Sequence, residues 1–564
     1  MDRRLSAAGL VVILLLSGCA SRAAGPDGQG NDASKAQGPK KITTVILSDP
    51  PTLAPGISGP IPGIDEVKQL MNVGLTVLDR EGNRQAVLAE SPVSVDNGLW
   101  QVFPDGQMET TWSLRNGIQW QDGEAFTADD LAFTTRVIQD KELGFPIDAA
   151  YALIQSIDPV DARTIRVHWR QPYIWADDFF SKADAMPKHL LDEPYRTSKE
   201  NFLNLPYWTD EFIGEGPFKL QEWVRGSHIT VRSNDRFVLG RPRLDEIQVK
   251  LVLDTNALTT NILAGAVDLS MSRGMSLEQA LELREQWHEG WVYVAPSLQI
   301  LMYPQLLPPT PPAMGDVRFR RALIQDIDRQ GLVENLMGGL SSVAHTTLVN
   351  PGQFPYKEIE SSIVRYDYDP RAAAANLDAM GLTKGTDGFY QDGGQKIPID
   401  VFTSTSQDTK GRAMLAIVDS WQQLGLNAQP VIFPVTQISD REFLMTRPGF
   451  YHVRHPHNLM NMAAYWTGPG IGVADNHFTG NNYARYRNAE LESLVSQFNV
   501  TIPIPPRIEV LKQVVHHITD QVVILGLFYD VEVTAIGNRM KDVSGRGEGI
   551  TKNWDAYLWD IQGS

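Results

Sequence analysis

Residues Trp112 to Thr134 read WSLRNGIQWQDGEAFTADDLAFT. On an extended chain Trp112, Leu114 and Asn116 share one face, and Ser113, Arg115 and Gly117 the other. Ile118 and Trp120 resume the apolar alternation. Asp122-Gly123 signals a turn, because glycine reaches positive φ without a steric cost. Thr127 stands three residues ahead of Asp130, the spacing of an N-cap with an acidic first turn. Leu131 and Phe133 open the apolar content that follows. The stretch predicts strand, turn, strand and capped helix.

The chain has 564 residues and a formal net charge of −17. That charge argues against nucleic acid and against an anionic membrane surface as partners. Arg3 and Arg4 precede an apolar run from Ala7 to Leu16 and then Leu16-Ser17-Gly18-Cys19. The run is too short for a permanent span and fits the h-region of a signal peptide, residues 1–18. Cys19 is the only cysteine, so no disulfide forms within the chain. Residues 19–41 are rich in Gly, Ala, Ser and Asp and read as a flexible tether. A coil of about 20 residues holds a body roughly 25 Å from its anchor. The rest is too long for one simple core, so two or three lobes are expected. No internal repeat is evident.

Other segments punctuate the chain. ITTVILS at 42–48 reads as a strand, broken by Asp49-Pro50-Pro51. Leu70 to Leu78 suggests a helix leading to a strand, and 162–170 alternates as a strand. YPQLLPPTPPAM at 303–314 is too proline-rich for helix or central strand and is expected as an extended segment crossing between lobes. Asp316 and Asp369-Pro370 are placed to start helices. Leu491 to Phe498 and Ile508 to Val522 follow helical spacing, separated by the break Ile502 to Pro506. Residues 521–536 read as a strand.

The 112–134 stretch also resembles the oligopeptide-binding protein family, the family 5 solute-binding proteins of ABC importers. Trp112, Arg115, Gly117, Trp120, Asp122, Gly123, Thr127, Ala128, Asp130 and Thr134 fill its pattern. The likeness extends to SDPPTLAPG at 48–56, to MPKHLLDE at 186–193, and to IGEGPFKLQEW at 213–223, where Glu215 replaces the usual Thr. LAGAVDLS at 263–270, the helix after Asp316 and NWDAYLWDI at 553–561 resemble family elements too. Leu-Ser-Gly-Cys resembles a lipobox, in which Cys19 is lipidated.

The resemblance implies an α/β, periplasmic binding protein-like class II fold with three lobes. Lobe I would comprise 42–80, 205–300 and 540–564, lobe II 81–204, and lobe III 301–539. Ligand would sit between lobes I and III. The implied function is that of a lipoprotein, exported and monomeric, anchored to the outer face of the cytoplasmic membrane. It would hand a small solute, an oligopeptide or a relative, to ABC permease subunits. A sensor lipoprotein of the same fold, a binder of sugars or metal complexes, and an exported hydrolase are the alternatives.

Signs of enzyme chemistry are thin: there is no G-x-S-x-G, H-E-x-x-H or P-loop. GPGIG (468–472) and GRGEG (545–549) read as loops. No cofactor or directly coordinated metal is expected.

The segment GFYHVRHPHN at 449–458 departs from the family pattern. Peptide-binding members carry an Asp there that receives the ligand's amino terminus. Here Val453 or Arg454 takes that place. Two readings stay open: Arg454 favours a carboxylate, phosphate or hydroxylated ligand, or it faces solvent and another acid such as Asp475 substitutes. His452, His455 and His457 cluster in the same segment and read as a polar cleft rim. Tyr451, Arg454, His455, His457, Tyr465 and Trp466 are the candidate ligand-binding residues.

Overall fold

The computed structural model describes residues 38–55, 63–79, 82–145, 149–271, 274–405, 408–455, 458–543 and 553–562. Cys19, His457 and the GRGEG run lie outside the described residues.

The opening stretch folds as a strand, a tight turn and a capped helix. Trp112, Leu114 and Trp120 are fully buried. Met108–Ser113 is the strand. The second strand is reduced to a single bridge between Gln119 and Ala125, closed by Trp120 N–H donating to Glu124 O at 2.8 Å. Gly123 takes φ 104° in that turn. The helix Ala128–Ile138 follows, and Thr127 N–H donates to Asp130 Oδ2 at 2.8 Å. Gln121 ties the turn to distant chain: its Nε2 donates to Met71 O and Phe218 O, and its Oε1 accepts from Gly214 N–H.

This unit belongs to a four-stranded antiparallel sheet, in the order Trp100–Val102, Met108–Ser113, Thr164–Trp169, Ile154–Asp161. Trp112 pairs with Ile165, so their side chains share the buried face.

The central sheet has ten strands. They are β1 (Lys41–Ile46), β2 (Phe218–Val224), β3 (His228–Ser233), β4 (Glu246–Leu251), β5 (Leu269–Ser270), β6 (Gly290–Pro304), β7 (Pro398–Thr403), β8 (Asn427–Ile432), β9 (Phe450–His455) and β10 (Leu525–Gly537). Their spatial order is β8-β7-β9-β6-β10-β5-β1-β4-β3-β2. β6 and β10 form one long antiparallel ladder, from Gly290 opposite Gly537 to Met302 opposite Leu525. β9 attaches to the carboxyl-terminal part of β6, Gln299 to Pro304. β5 attaches near the far end of β10, at Ile536. The two groups of strands thus hang from opposite ends of the same ladder.

Between them the ladder is irregular, with register shifts at Pro296/Gln299 and Ile300/Leu301. Such shifts bend a strand and re-aim its side chains. The proline-rich run opens within β6, where Tyr303 and Pro304 pair with Tyr451 and Phe450, and goes on as a loop and a short 3-10 turn, Pro312–Gly315. From Pro308 on, its prolines cannot supply the ladder donors that a central strand needs.

Both faces of the β6–β9 region are covered. On one, Ile300, Met302, Val401 and Phe450 pack with Met414, Ile417 and Trp421 of the helix Thr409–Leu424. On the other, Leu301, Tyr303 and Tyr451 pack with Trp466, Leu491 and Val495.

Asp316 accepts from Arg318 N–H at 2.8 Å and Asp369 from Arg371 and Ala372 N–H, so both expected N-caps are in place. The break at 502–506 is shorter than its prolines suggest. The helix starts at Ile504 and carries Pro505 and Pro506 in its first turn, where a missing N–H costs no helical bond.

Candidate functional site

In an open α/β sheet a ligand sits outside the carboxyl ends of the parallel strands, where the topology switches. Here two such sets of ends exist. β1, β4 and β5 run parallel and end at Ile46, Leu251 and Ser270. β7, β8 and β9 run parallel and end at Thr403, Ile432 and His455. The β6–β10 ladder and its irregular middle lie between the two sets.

β9 carries most of the candidate residues, and strand alternation divides them. Phe450, His452 and Arg454 share one face; Tyr451, Val453 and His455 share the other. Tyr451 pairs with Tyr303, Val453 with Leu301 and His455 with Gln299. The Tyr451 and Tyr303 rings stack with centroids 6.4 Å apart. His455 meets Tyr465 edge-on at 4.9 Å, Tyr303 at 5.9 Å and Tyr483 at 5.8 Å. Tyr451, His455 and Tyr465 therefore converge in one aromatic cluster, with Tyr303 and Tyr483 as members that the sequence reading missed. Burial pushes the His455 imidazole down to about 4, helped by Arg441, so it is neutral at ordinary pH. Burial pushes Tyr451 up to about 12, with Tyr483 adding to the shift.

Arg447 closes the underside of this cluster. It is buried, lies 5.0 Å from the Tyr451 ring centroid, and donates to Leu444 O and Tyr303 O. Burial brings it down to about 9.

Arg454 stands apart from these residues. It projects from the opposite face and its guanidinium is held by Asp530. A ligand carboxylate at Arg454 would compete with that partner. His452 is fully buried, with Nε2 bonded to Lys410 O at 2.8 Å. His452 and His455 thus point to opposite faces. Among the described residues no group of three His, Cys, Asp or Glu side chains could hold a metal ion. Trp466 is fully buried within the apolar core. Asp475 lies in the turn Ala474–Asn476, away from β9 in sequence and exposed.

One face of β9 presents Tyr451, Val453 and His455, and the strand Phe450–His455 carries no carboxylate. The comparisons with known proteins agree with the topology. Residues 85–470 match the family model "Bacterial extracellular solute-binding proteins, family 5 Middle". The chain belongs to this family.

Family 5 members are binding proteins of the cell exterior or periplasm, not enzymes, and this chain is one of them. Among the described residues no helix is long and apolar enough to cross a membrane. The chain is 23% identical over 513 residues to the oligopeptide-binding protein AppA of Bacillus subtilis, covering 86% of this chain and 85% of AppA. The structure of B. subtilis AppA with a nonapeptide superposes with a TM-score of 0.69 at 17% identity, over 93% of this chain and 100% of that one. NikZ from Campylobacter jejuni, solved with Ni(L-His), gives a TM-score of 0.71 at 18% identity, over 92% and 99%. Identities this low carry the fold and leave the cargo open.

Two further residues escaped the sequence reading. Asp530 lies within a run read only as a strand, although an acid in a buried central strand is itself a signal. Lys410 follows an ordinary N-cap, Asp408, and nothing local marks it.

Proposed function

We propose that this family 5 protein is the solute-capturing lipoprotein of an ABC importer. Cys19 is its lipid anchor, residues 19–41 its tether, and permease subunits receive its cargo. The lobes are 42–80 with 205–300 and 540–564, then 81–204, then 301–539, and capture is a closure of the first on the last. The observation that carries this reading is the β6–β10 ladder, with strand ends converging from both sides on its irregular middle. Two strands are a narrow connection that can flex, and a ligand touching both sides favours the closed arrangement by its differential contacts.

The cargo is a small solute, an oligopeptide or a related compound, gripped without an amine-anchoring carboxylate on β9. Tyr451, His455 and Tyr465 are its proposed aromatic wall. The supporting observation is the Tyr451–Val453–His455 face of that strand. A thermal-shift titration with short peptides tests the reading, because a ligand of the folded state raises stability with its concentration. A peptide and its N-acetylated form should stabilise the protein equally. Loss of the shift on acetylation would contradict the proposed grip.

A further inference from the structure

A cavity of about 20 Å³ lies beside the start of β10, lined by Gly526, by Arg329 of the helix Arg329–Met337 and by the segment His345 to Thr347. Such a volume holds about one or two water-sized bodies and is too small for a tetrahedral oxyanion. Ile324 and Ile518 form part of its apolar wall, and no carboxylate is among its lining residues. Arg329 is 5% exposed. Its guanidinium donates to Gly526 O at 3.0 Å and to Tyr366 O at 2.6 Å. Among the described residues it makes no ion pair, and the exposed Asp367 acts on it only from a distance. A guanidinium has five donors and stays charged, and a buried charge without a counter-charge is costly.

Two more polar groups of the lining need partners. Thr347 is 4% exposed, and its Oγ1 is buried with no hydrogen-bond partner among the described residues. His345 Nδ1 is in the same position. Burial pushes the His345 imidazole down to about 4; Arg329 and then Arg365 add to the shift, and Asp367 opposes it. The ring is therefore neutral and keeps one N–H. The other polar side chains of the lining are engaged. Thr346 Oγ1 accepts from Leu348 N–H, Thr519 Oγ1 donates to Val515 O, and Tyr366 donates its hydroxyl to Asp520 O. Buried hydroxyls and imidazoles are normally satisfied, by protein or by a bound water or ion. Here a guanidinium, a hydroxyl and an imidazole, all able to donate, line one small cavity in the field of two arginines.

We infer that Arg329, His345 and Thr347 bind a monatomic anion of chloride size in this cavity. The anion supplies the counter-charge that Arg329 lacks and accepts from the hydroxyl and the imidazole together. Its place ties two parts of the fold. Arg329 grips Gly526, where β10 slips register against β6 between Ile300 and Leu301. The segment carrying His345 and Thr347 is fastened to Tyr529, whose N–H donates to Ser342 O and whose hydroxyl lies 2.9 Å from Thr346 O and Val349 O. The anion thus joins this segment to the irregular middle of the ladder, and it does so with or without cargo.

The test uses the purified full chain dialysed into sodium gluconate, then titrated with sodium chloride or sodium bromide at constant ionic strength. Gluconate is too large for the cavity and is the blank. The unfolding midpoint should rise and saturate with either halide, because an anion bound only by the folded state stabilises it with concentration. Arg329→Met removes the donor of two backbone carbonyls and risks unfolding, so the deciding variant is Thr347→Val, which keeps the shape and loses only the hydroxyl. In gluconate Thr347→Val should be at least as stable as the wild type. Its rise should need at least about tenfold more chloride, the worth of one hydrogen bond to an ion. Circular dichroism establishes that it folds. Crystals grown in sodium bromide should show an anomalous peak between Arg329, His345 and Thr347. No halide-dependent rise, or a folded Thr347→Val with the wild-type chloride response, overturns the inference. So does a site that holds only water, without anomalous signal, in bromide.

Discussion

Glu215 shows how far one side chain can set the behaviour of this protein. It stands where the resembled pattern has Thr and is 1% exposed. Its Oε1 accepts from Val73 N–H at 2.9 Å, and Oε2 is buried without a hydrogen-bond partner among the described residues. Burial raises its carboxyl from 4.5 to about 8, so the folded protein keeps a proton there that the unfolded chain releases. Stability from this group is therefore full below the unfolded value and falls as pH rises from about 4.5 towards 8. Glu215→Gln removes the titration while keeping the shape. Urea unfolding should find the variant more stable than the wild type by a few kcal/mol at about pH 9, with a much smaller difference at about pH 5. Equal differences at both pH values would place the proton elsewhere. His455 behaves oppositely: with its imidazole held at about 4, it contributes no titration to ligand binding between about pH 6 and pH 8.

At the scale of elements, the strand that carries the aromatic wall is set by its first turn. Gly449 has φ 65°, and a Cβ there would stand 2.1 Å from Asp400 O of β7. Gly449→Ala therefore pushes β9 away from β7 and costs several kcal/mol of stability. Thermal unfolding checks this, and an unchanged midpoint would show that the strand relaxes freely.

Elements of this kind were mostly legible in the sequence. Thr127 with Asp130, Asp316, and Asp369 with Pro370 are local signals, and each begins the helix it predicts. What the sequence withheld is long-range. Residues 290–304 lack a clean period because both faces of β6 change company along its length, so the strand that joins the two groups went unread. Arg454 and His455 are neighbours in the chain, yet alternation sends one to Asp530 and the other to the tyrosines. Tyr303 sits against a proline-rich run and Tyr483 in a stretch of weak periodicity, and only the folded sheet brings them together.

At the scale of the molecule, recognition of family and choice of cargo lie in different places. The Trp112–Thr134 unit is scaffold: its tryptophans are buried, and Gln121 fastens it to the segment leading into β2. The cargo is proposed to be chosen beside the β6–β10 ladder, by the aromatic wall of Tyr451, His455 and Tyr465. A chain with this division of labour is expected to hold one solute per molecule. Native mass spectrometry of the protein purified without denaturation tests that directly. A single low-mass adduct on each chain, released on denaturation, is the expected result. A bare chain that also takes up no peptide, sugar, phosphorylated compound or metal complex would contradict it.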